Sequence, residues 1–501
     1  MSKAERIIIL GPPGTGKTAT LLKLVEAELG QGTPPDRIGY FAYTRRASTE
    51  AKTRATNKFN LEEKELPYFR TLHSLAFLQL GMLRSQVFSK ENYRELGAIL
   101  GYHVTGDVDA EGLYQVRTKG DTILNIINTA RVRGIPAKKQ WAEANLDIGW
   151  YEVDRMERAL ESFKKERHLH DFTDMLILFN KEKAAPSLEV VFIDEAQDLS
   201  YLQWLMVEQI QEKARKMYIA GDDDQAIYRW AGADVNYFLN LQGQTTVLKQ
   251  SFRIPQKIHK LASSFVQRIS NRKLKTWQPT QEGGTITWHS NAENVNMSEG
   301  NWLVLARNGY LLRSLEEQCR REGFFYEKGN YSSINKRLLD AIIAWEKLRK
   351  GEAIEPLSVK SIYNYITSGK GIERGYKRLI GMDDDSVYNL QDLKDEYGLR
   401  TEGIWHEALD RIGQRDREYI IAALRRGEKL TRNARIRFST IHGAKGAEAD
   451  NVLVLTDVSP RAYAEYKLHP DDETRVFYVA LTRAKRNLHL VMPKTAKYFG
   501  I

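Results

Sequence analysis

Short apolar runs recur along the chain, and each gives way to polar residues at its C-terminal end. Ile7–Leu10, Ile38–Tyr43, Leu188–Ile193, Met217–Ala220 and Thr245–Leu248 form a first set. Gly284–Trp288, Trp302–Ala306, Arg437–Ile441, Asn451–Thr456 and Leu488–Met492 form a second. Runs this short, largely apolar without strict alternation, read as strands of parallel sheets covered on both faces. Between them apolar positions return at helical spacing, as in Leu21, Leu22, Leu24, Val25 and Leu29. The pattern predicts an α/β protein. An open parallel sheet builds its site at the C-terminal ends of its strands. The handovers there are Asp194-Glu195-Ala196-Gln197-Asp198, Gly221-Asp222-Asp223-Asp224-Gln225 and Lys249-Gln250-Ser251-Phe252-Arg253.

The strand pattern fades twice. Residues 84–164 read as helical, with Ile123, Ile126, Ile127 and Ala130 on one face, and residues 335–430 read as helical and charged. The predicted organisation is one α/β domain over 1–83 and 165–248, with a helical insertion over 84–164. A second covers 249–334 and 431–501, with a shorter insertion over 335–430. A length of 501 residues suits several cores rather than one.

Composition narrows the class. With 42% hydrophobic and 28% charged residues, the chain reads as globular, and no apolar run approaches the length of a bilayer span. The N-terminal apolar patch leads straight into a glycine turn, so it does not read as a signal peptide. One cysteine, Cys319, leaves no disulfide framework and no multi-cysteine metal site. It sits in the helical stretch Ser314–Glu322 and is expected to be inert. A reducing, cytoplasmic setting without membrane attachment is expected. The net charge of +10 is compatible with a polyanionic partner. Basic residues cluster in three runs: Tyr43–Lys58, Arg131–Lys139, and Arg411–Arg437 with nine basic against three acidic. Together they favour contacts to a phosphate backbone.

The chemistry starts at Gly11-Pro12-Pro13-Gly14-Thr15-Gly16-Lys17-Thr18, set between the first strand and the first helix. Strand, glycine-rich turn and helix is the context of a phosphate-binding loop. Backbone N–H groups and the helix N-terminus cradle phosphates. Lys17 is expected to reach the β- and γ-phosphates and the Thr18 hydroxyl to hold Mg²⁺. Asp194, ending a later strand, is the second candidate Mg²⁺ ligand, and Glu195 is placed to deprotonate an attacking water. Gln225 stands where a side chain senses the γ-phosphate. Tyr228 and Trp230 follow within five residues, which suggests coupling to something that stacks, with nucleic-acid bases the natural partner. Arg253 and Arg483, from the second α/β set, are candidates for neutralising transition-state charge.

Along nearly its whole length the chain resembles the UvrD/Rep/PcrA-type superfamily 1 DNA helicases. The resemblance rests on Gly11–Thr18, Tyr43-Thr44-Arg45-Arg46-Ala47, Thr71-Leu72-His73-Ser74 and Asp171-Phe172-Thr173-Asp174-Met175-Leu176. It continues through Asp194–Asp198, Gly221–Trp230, Gln250-Ser251-Phe252-Arg253, Thr440–Glu448 and Tyr478–Ala484. It implies two RecA-like domains with ATP between them, and inserted domains flanking a track for single-stranded DNA. It implies γ-phosphate contacts from Arg253 and Arg483, a ribose contact from Glu448 and a base-stacking role for Phe252. Tyr43, Thr44, Thr71, His73, Tyr228, Trp230 and His442 are then expected along the DNA, with translocation 3′ to 5′. The expected partners are single-stranded DNA and its junctions with duplex, with replication or repair proteins beside them, and the expected working form is a monomer.

Several positions depart from the family pattern. No glutamine stands in Met1–Arg6, and Ala19 replaces the usual arginine after the loop. These changes predict weak reading of the nucleotide base. Ala231 replaces the arginine that usually follows the aromatic pair, and Gly369–Gly375 only partly matches a duplex-gripping loop. The short second insertion raises an alternative, a translocase that strips proteins from DNA with little unwinding. No nuclease or partner-binding tail is expected after Lys494. The loop alone would also suit a ring-forming ATPase or a switch protein, but Gly221–Trp230 and Thr440–Glu448 argue against both.

Overall fold

The computed structural model describes residues 5–109, 112, 114–329 and 331–501. Residues 1–4, part of the stretch in which no glutamine was found, lie outside them. The chain forms two compact units, Met1–Gly283 with Glu465–Thr482, and Gly284–Ala464 with Arg483–Ile501.

The first unit is built on six parallel strands: β1 (Glu5–Leu10), β2 (Ile38–Ala42), β3 (Phe69–Arg70), β4 (Val190–Asp194), β5 (Lys216–Gly221) and β6 (Gln244–Val247), in the order β3-β2-β4-β5-β1-β6. The strand alternation divides its apolar side chains between two cores. Ile8, Leu10, Phe41, Val191, Ile193, Met217 and Ile219 face one. Ile9, Ile38, Tyr40, Ala42, Val190, Phe192 and Ala220 face the other. Covering both faces is why the four inner strands, β2, β4, β5 and β1, read as apolar runs, while the edge strand β6 is largely exposed.

Helices α1 (Lys17–Gly30), α2 (Arg45–Phe59) and α3 (Leu72–Gln79) follow the first three strands, and Thr44 and Thr71 cap α2 and α3 through their hydroxyls. Helices α4 (Lys90–Leu100), α5 (Lys119–Val132), α6 (Ala137–Ala144) and α7 (Trp150–Arg167) are inserted before α8 (Phe172–Glu182) and α9 (Tyr201–Glu212). They close over a core of their own, which holds Ile123, Ile126, Ile127, Val153, Met156 and Leu160.

A buried charge cluster ties this insertion to the sheet-bearing part. Arg131 of α5 pairs with Asp171 at 2.7 Å and with Asp174, and Lys164 of α7 reaches both aspartates at 2.7 Å. Burial alone would raise the Asp171 carboxyl, but Arg131 and then Lys164 outweigh it and hold the group well below the usual carboxylate range.

The cluster corrects part of the charge reading. Arg131 is spent inside the protein, and Arg133 binds Glu143. In the other runs Lys52, Arg54 and Lys58 pair with Glu63, Glu50 and Glu26, and Arg435 with Glu428. Local carboxylates thus compete with phosphate for these particular cations, through partly exposed pairs that are individually weak.

The second unit carries seven strands: β7 (Thr285–His289), β8 (Trp302–Ala306), β9 (Tyr326–Lys328), β10 (Tyr331–Ser332), β11 (Ile436–Thr440), β12 (Ala449–Leu455) and β13 (Ala484–Val491). Their order is β10-β9-β11-β8-β12-β13-β7, parallel except for β10 against β9. Between β10 and β11 a mainly helical segment closes over Trp345, Ile362, Tyr363, Leu393 and Ile420. Cys319 is buried in the helix Arg313–Glu322, and burial pushes its thiol up to about 12, away from the reactive thiolate. Among the described residues no helix is long and apolar enough to cross a membrane.

Candidate active site in the first unit

The site is assembled at the C-terminal ends of β1, β4 and β5. Register sets it: Leu10 lies beside Gly221, and Ala42 beside Asp194. The loop after β1 turns through Gly14 at φ +72°, a conformation that L side chains avoid. A Cβ there would also lie 2.4 Å from Cβ of Arg253. A Cβ on Gly11 would lie 2.0 Å from Cγ of Lys17, whose ammonium donates to the Gly11 carbonyl at 3.1 Å. The Thr15 hydroxyl donates to the Pro12 carbonyl at 2.8 Å. The first turn of α1 holds no acidic residue, so its positive end stays available to an anion.

Thr18 Oγ1 donates to Asp194 Oδ2 at 2.8 Å, and so does the Tyr40 hydroxyl, also at 2.8 Å. Burial, then the neighbouring Glu195, raises the Asp194 carboxyl; the Thr18 and Tyr40 hydroxyls and the Lys17 ammonium act the other way. A carboxylate and a hydroxyl in contact beside a phosphate cradle are hard oxygen donors. That set fits Mg²⁺, which takes few protein ligands and completes its shell with water and phosphate.

Glu195 is held at φ +53°, a left-handed position unusual for a side chain of its size. Its carboxylate lies 3.6 Å from the Lys17 ammonium and accepts from Gln197 Nε2 at 2.6 Å. The Gln197 carbonyl oxygen in turn accepts from the Asp222 N–H at 2.9 Å, and Gln225 Nε2 donates to Asp222 Oδ2 at 2.6 Å. The motif pattern points to Glu195 and Gln225 but not to Gln197, which joins them.

Nor does the pattern point to the cations under the acidic loop. Lys275, 1% exposed, contacts Asp222 at 2.9 Å, Asp223 at 2.5 Å and Asp224 at 2.9 Å. Arg272 grips Asp224 through two bonds of 2.7 Å, and Arg475 donates to the Asp223 carbonyl at 2.9 Å. Burial would raise Asp222, but Lys275 and then Lys17 hold it low; at Asp224 burial prevails and the carboxyl is raised. Three consecutive aspartates after a buried strand were the available clue, since such charges require counterions.

By sequence Arg253 falls in the second α/β set, which is expected from residue 249 onward. In the structure it belongs to the first unit, because Ser251 Oγ donates to the Pro13 carbonyl at 2.8 Å and the Phe252 N–H to the Gly14 carbonyl at 2.8 Å. The Phe252 ring is exposed beside the loop.

Beyond Gln225, Tyr228 stacks on Tyr43 with centroids 5.3 Å apart, and Trp230 lies 6.3 Å from Tyr228, half exposed. Tyr43 also lines a small cleft with His73, Asn128 and Thr173, between the inserted helices and the sheet-bearing part. His73 is buried edge-on to Phe172, and burial lowers its imidazole to about 4, so it stands neutral at physiological pH.

The remaining candidates lie in the second unit. Arg483 is buried at the entrance to β13, and its carbonyl accepts from the Ala449 N–H at 3.3 Å. Glu448 pairs with Lys485 at 2.5 Å, and His442 is half-buried in the turn after β11.

Comparison with known proteins agrees with this architecture. Residues 2–246 match the UvrD/REP helicase N-terminal domain, and residues 418–495 the UvrD-like helicase C-terminal domain. YjcD of Bacillus subtilis is 22% identical across 97% of this chain and 77% of its own length. The ATP-dependent DNA helicase PcrA of Staphylococcus epidermidis is 22% identical across 99% and 82%. DNA helicase II of Rickettsia typhi is 24% identical across 98% and 90%. Two family matches in chain order, with relatives aligned nearly end to end, place this chain in the UvrD/REP helicase family.

Proposed function

We propose that the protein is an ATP-dependent DNA helicase, in which hydrolysis drives movement along single-stranded DNA and separation of duplex. One observation carries the reading: the hydrogen-bonded line from Glu195 through Gln197 to Asp222 and Gln225, which ends three residues before the stacked Tyr228. A group beside the phosphates and a surface suited to bases are thereby linked inside one unit.

In this reading Gly11–Thr18 and the N-terminus of α1 bind the phosphates, and Lys17 neutralises the β- and γ-oxygens. Thr18 and Asp194 hold Mg²⁺, which supplies charge neutralisation on the transferring phosphoryl group. Glu195 takes the proton of the attacking water. Arg253, and by family resemblance Arg483, stabilise the charge that develops. Phe252 offers a stacking face to the base and Glu448 an acceptor to the ribose. Tyr43, Thr44, Thr71, His73, Tyr228, Trp230 and His442 line the DNA path, with His73 acting as a neutral group. The working form is a monomer acting at single-strand/duplex junctions, and the direction, 3′ to 5′, follows the family.

Duplexes carrying a 3′ or a 5′ single-stranded tail test this reading, with ATP and GTP compared. Strand separation from the 3′ tail, with hydrolysis raised by single-stranded DNA, is expected. DNA-stimulated hydrolysis that displaces a bound protein but separates no strands would favour the protein-stripping alternative. A hexamer whose hydrolysis ignores DNA would overturn both. Replacing Trp230 by Ala is expected to weaken single-strand binding about tenfold in fluorescence anisotropy, the scale of one lost stacking contact. Unchanged affinity removes Trp230 from the path.

A further inference from the structure

Tyr40 sits at the centre of β2, fully buried, at a position where an apolar side chain would fill the same space. Its ring is fixed by stacking on Phe69 at 5.3 Å and on Phe192 at 6.3 Å. Register pairs Tyr40 with Phe192 and Ala42 with Asp194, so the ring lies one pleat behind the Asp194 carboxylate on the same face. The hydroxyl reaches Asp194 Oδ2 at 2.8 Å. The other carboxylate oxygen, Oδ1, accepts from the Glu195 N–H at 2.9 Å. Each oxygen is thus held from the protein side, and Thr18 approaches Oδ2 from the loop. A tyrosine hydroxyl carries its proton at neutral pH, so it serves as the donor to this carboxylate.

We propose that Tyr40 is a positioning residue for the metal site: its hydroxyl fixes the rotation of the Asp194 carboxylate, so that the cation meets an oriented ligand. The proposal rests on the ATP reading above. Outer-shell hydrogen bonds of this kind typically change metal affinity by about 10- to 100-fold when removed.

Tyr40→Phe deletes one oxygen and keeps the stacked ring. Fluorescent ADP is first titrated in EDTA, which counts correctly folded nucleotide sites without metal. Mn²⁺ is then titrated by electron paramagnetic resonance with those sites saturated by ADP. The expected result is ADP affinity in EDTA within about twofold of wild type and an Mn²⁺ dissociation constant raised about tenfold. The Mg²⁺ concentration for half-maximal hydrolysis should rise by the same factor. An unchanged Mn²⁺ constant overturns the proposal. So does loss of ADP binding in EDTA, which would make the hydroxyl a support for the whole loop. Wild-type protein that binds no ADP, with or without Mn²⁺, would instead overturn the ATP reading itself.

Discussion

Glu195→Gln is expected to lower DNA-stimulated ATP hydrolysis by about 10²- to 10⁴-fold, the usual contribution of a positioned general base. Nucleotide affinity should stay within about threefold of wild type. The reason lies in what the substitution preserves. A glutamine at 195 still offers a carbonyl oxygen to the Gln197 amide, which now donates to Glu195 at 2.6 Å, so the connection toward Asp222 can persist. What is lost is the basicity needed to accept a proton from water, and with it the ion pair to Lys17 at 3.6 Å. The backbone supports the assignment. Glu195 holds φ +53° directly after Asp194, and such a conformation costs on the order of 1–3 kcal/mol and persists only where the surroundings impose it. A strained carboxylate at the end of a central strand is typical of functional positions. Turnover in Glu195→Gln equal to wild type would rule out the base role. A fall in turnover matched by loss of nucleotide binding would make Glu195 a structural partner of Lys17.

Ten of the strands and the phosphate loop are legible because each depends on local pattern, whereas β3, β9 and β10, of two or three residues, are too short to leave one. Strands covered on both faces must be apolar throughout, so their runs stand out. The loop between Gly11 and Thr18 must let Lys17 and the Ser251–Arg253 segment come close, so its glycines recur at fixed spacing. Tyr40 was hidden for the opposite reason. In sequence it is one more aromatic residue in an apolar strand, and only the register of β2 on β4 brings its hydroxyl to Asp194. Gln197 was quoted within a motif, but its two bonds join strand ends that are distant in the chain. The charge pattern misleads at Arg131, because sequence shows the cation and not its partners. Arg131 looked like a solvent-facing phosphate ligand, and the fold buries it against Asp171 and Asp174.

Lys275→Met is expected to destabilise the first unit by about 3–5 kcal/mol at neutral pH, read from the urea midpoint of its unfolding, although the side chain touches no proposed substrate atom. The ammonium is the shared counterion of three consecutive buried aspartates, and methionine fills similar volume without charge. Removing one partner from a buried ionic cluster leaves charge uncompensated, which costs far more than the cluster contributes while intact. Arg272 retains its two bonds to Asp224, so Asp222 and Asp223 bear most of the loss. The pH dependence separates this cause from simple loss of packing. In wild type, Lys275 is raised above its ordinary value, so its contribution is complete below the unfolded lysine pKa and fades as pH rises through the folded one. In the variant the stranded carboxyls should titrate above their unfolded range of about 3.9. Lowering the pH through that raised range protonates them in the folded state and relieves the repulsion. The gap between wild type and Lys275→Met should therefore narrow on going from pH 8 toward pH 5. A packing defect would leave the gap constant with pH. Because Asp222 also accepts from Gln225 and donates its N–H to Gln197, the variant should lose hydrolysis at temperatures where it is still folded. Full activity in a destabilised variant would show that the acidic loop keeps its geometry without its counterion, and would break the proposed line from Glu195 to the stacked aromatics.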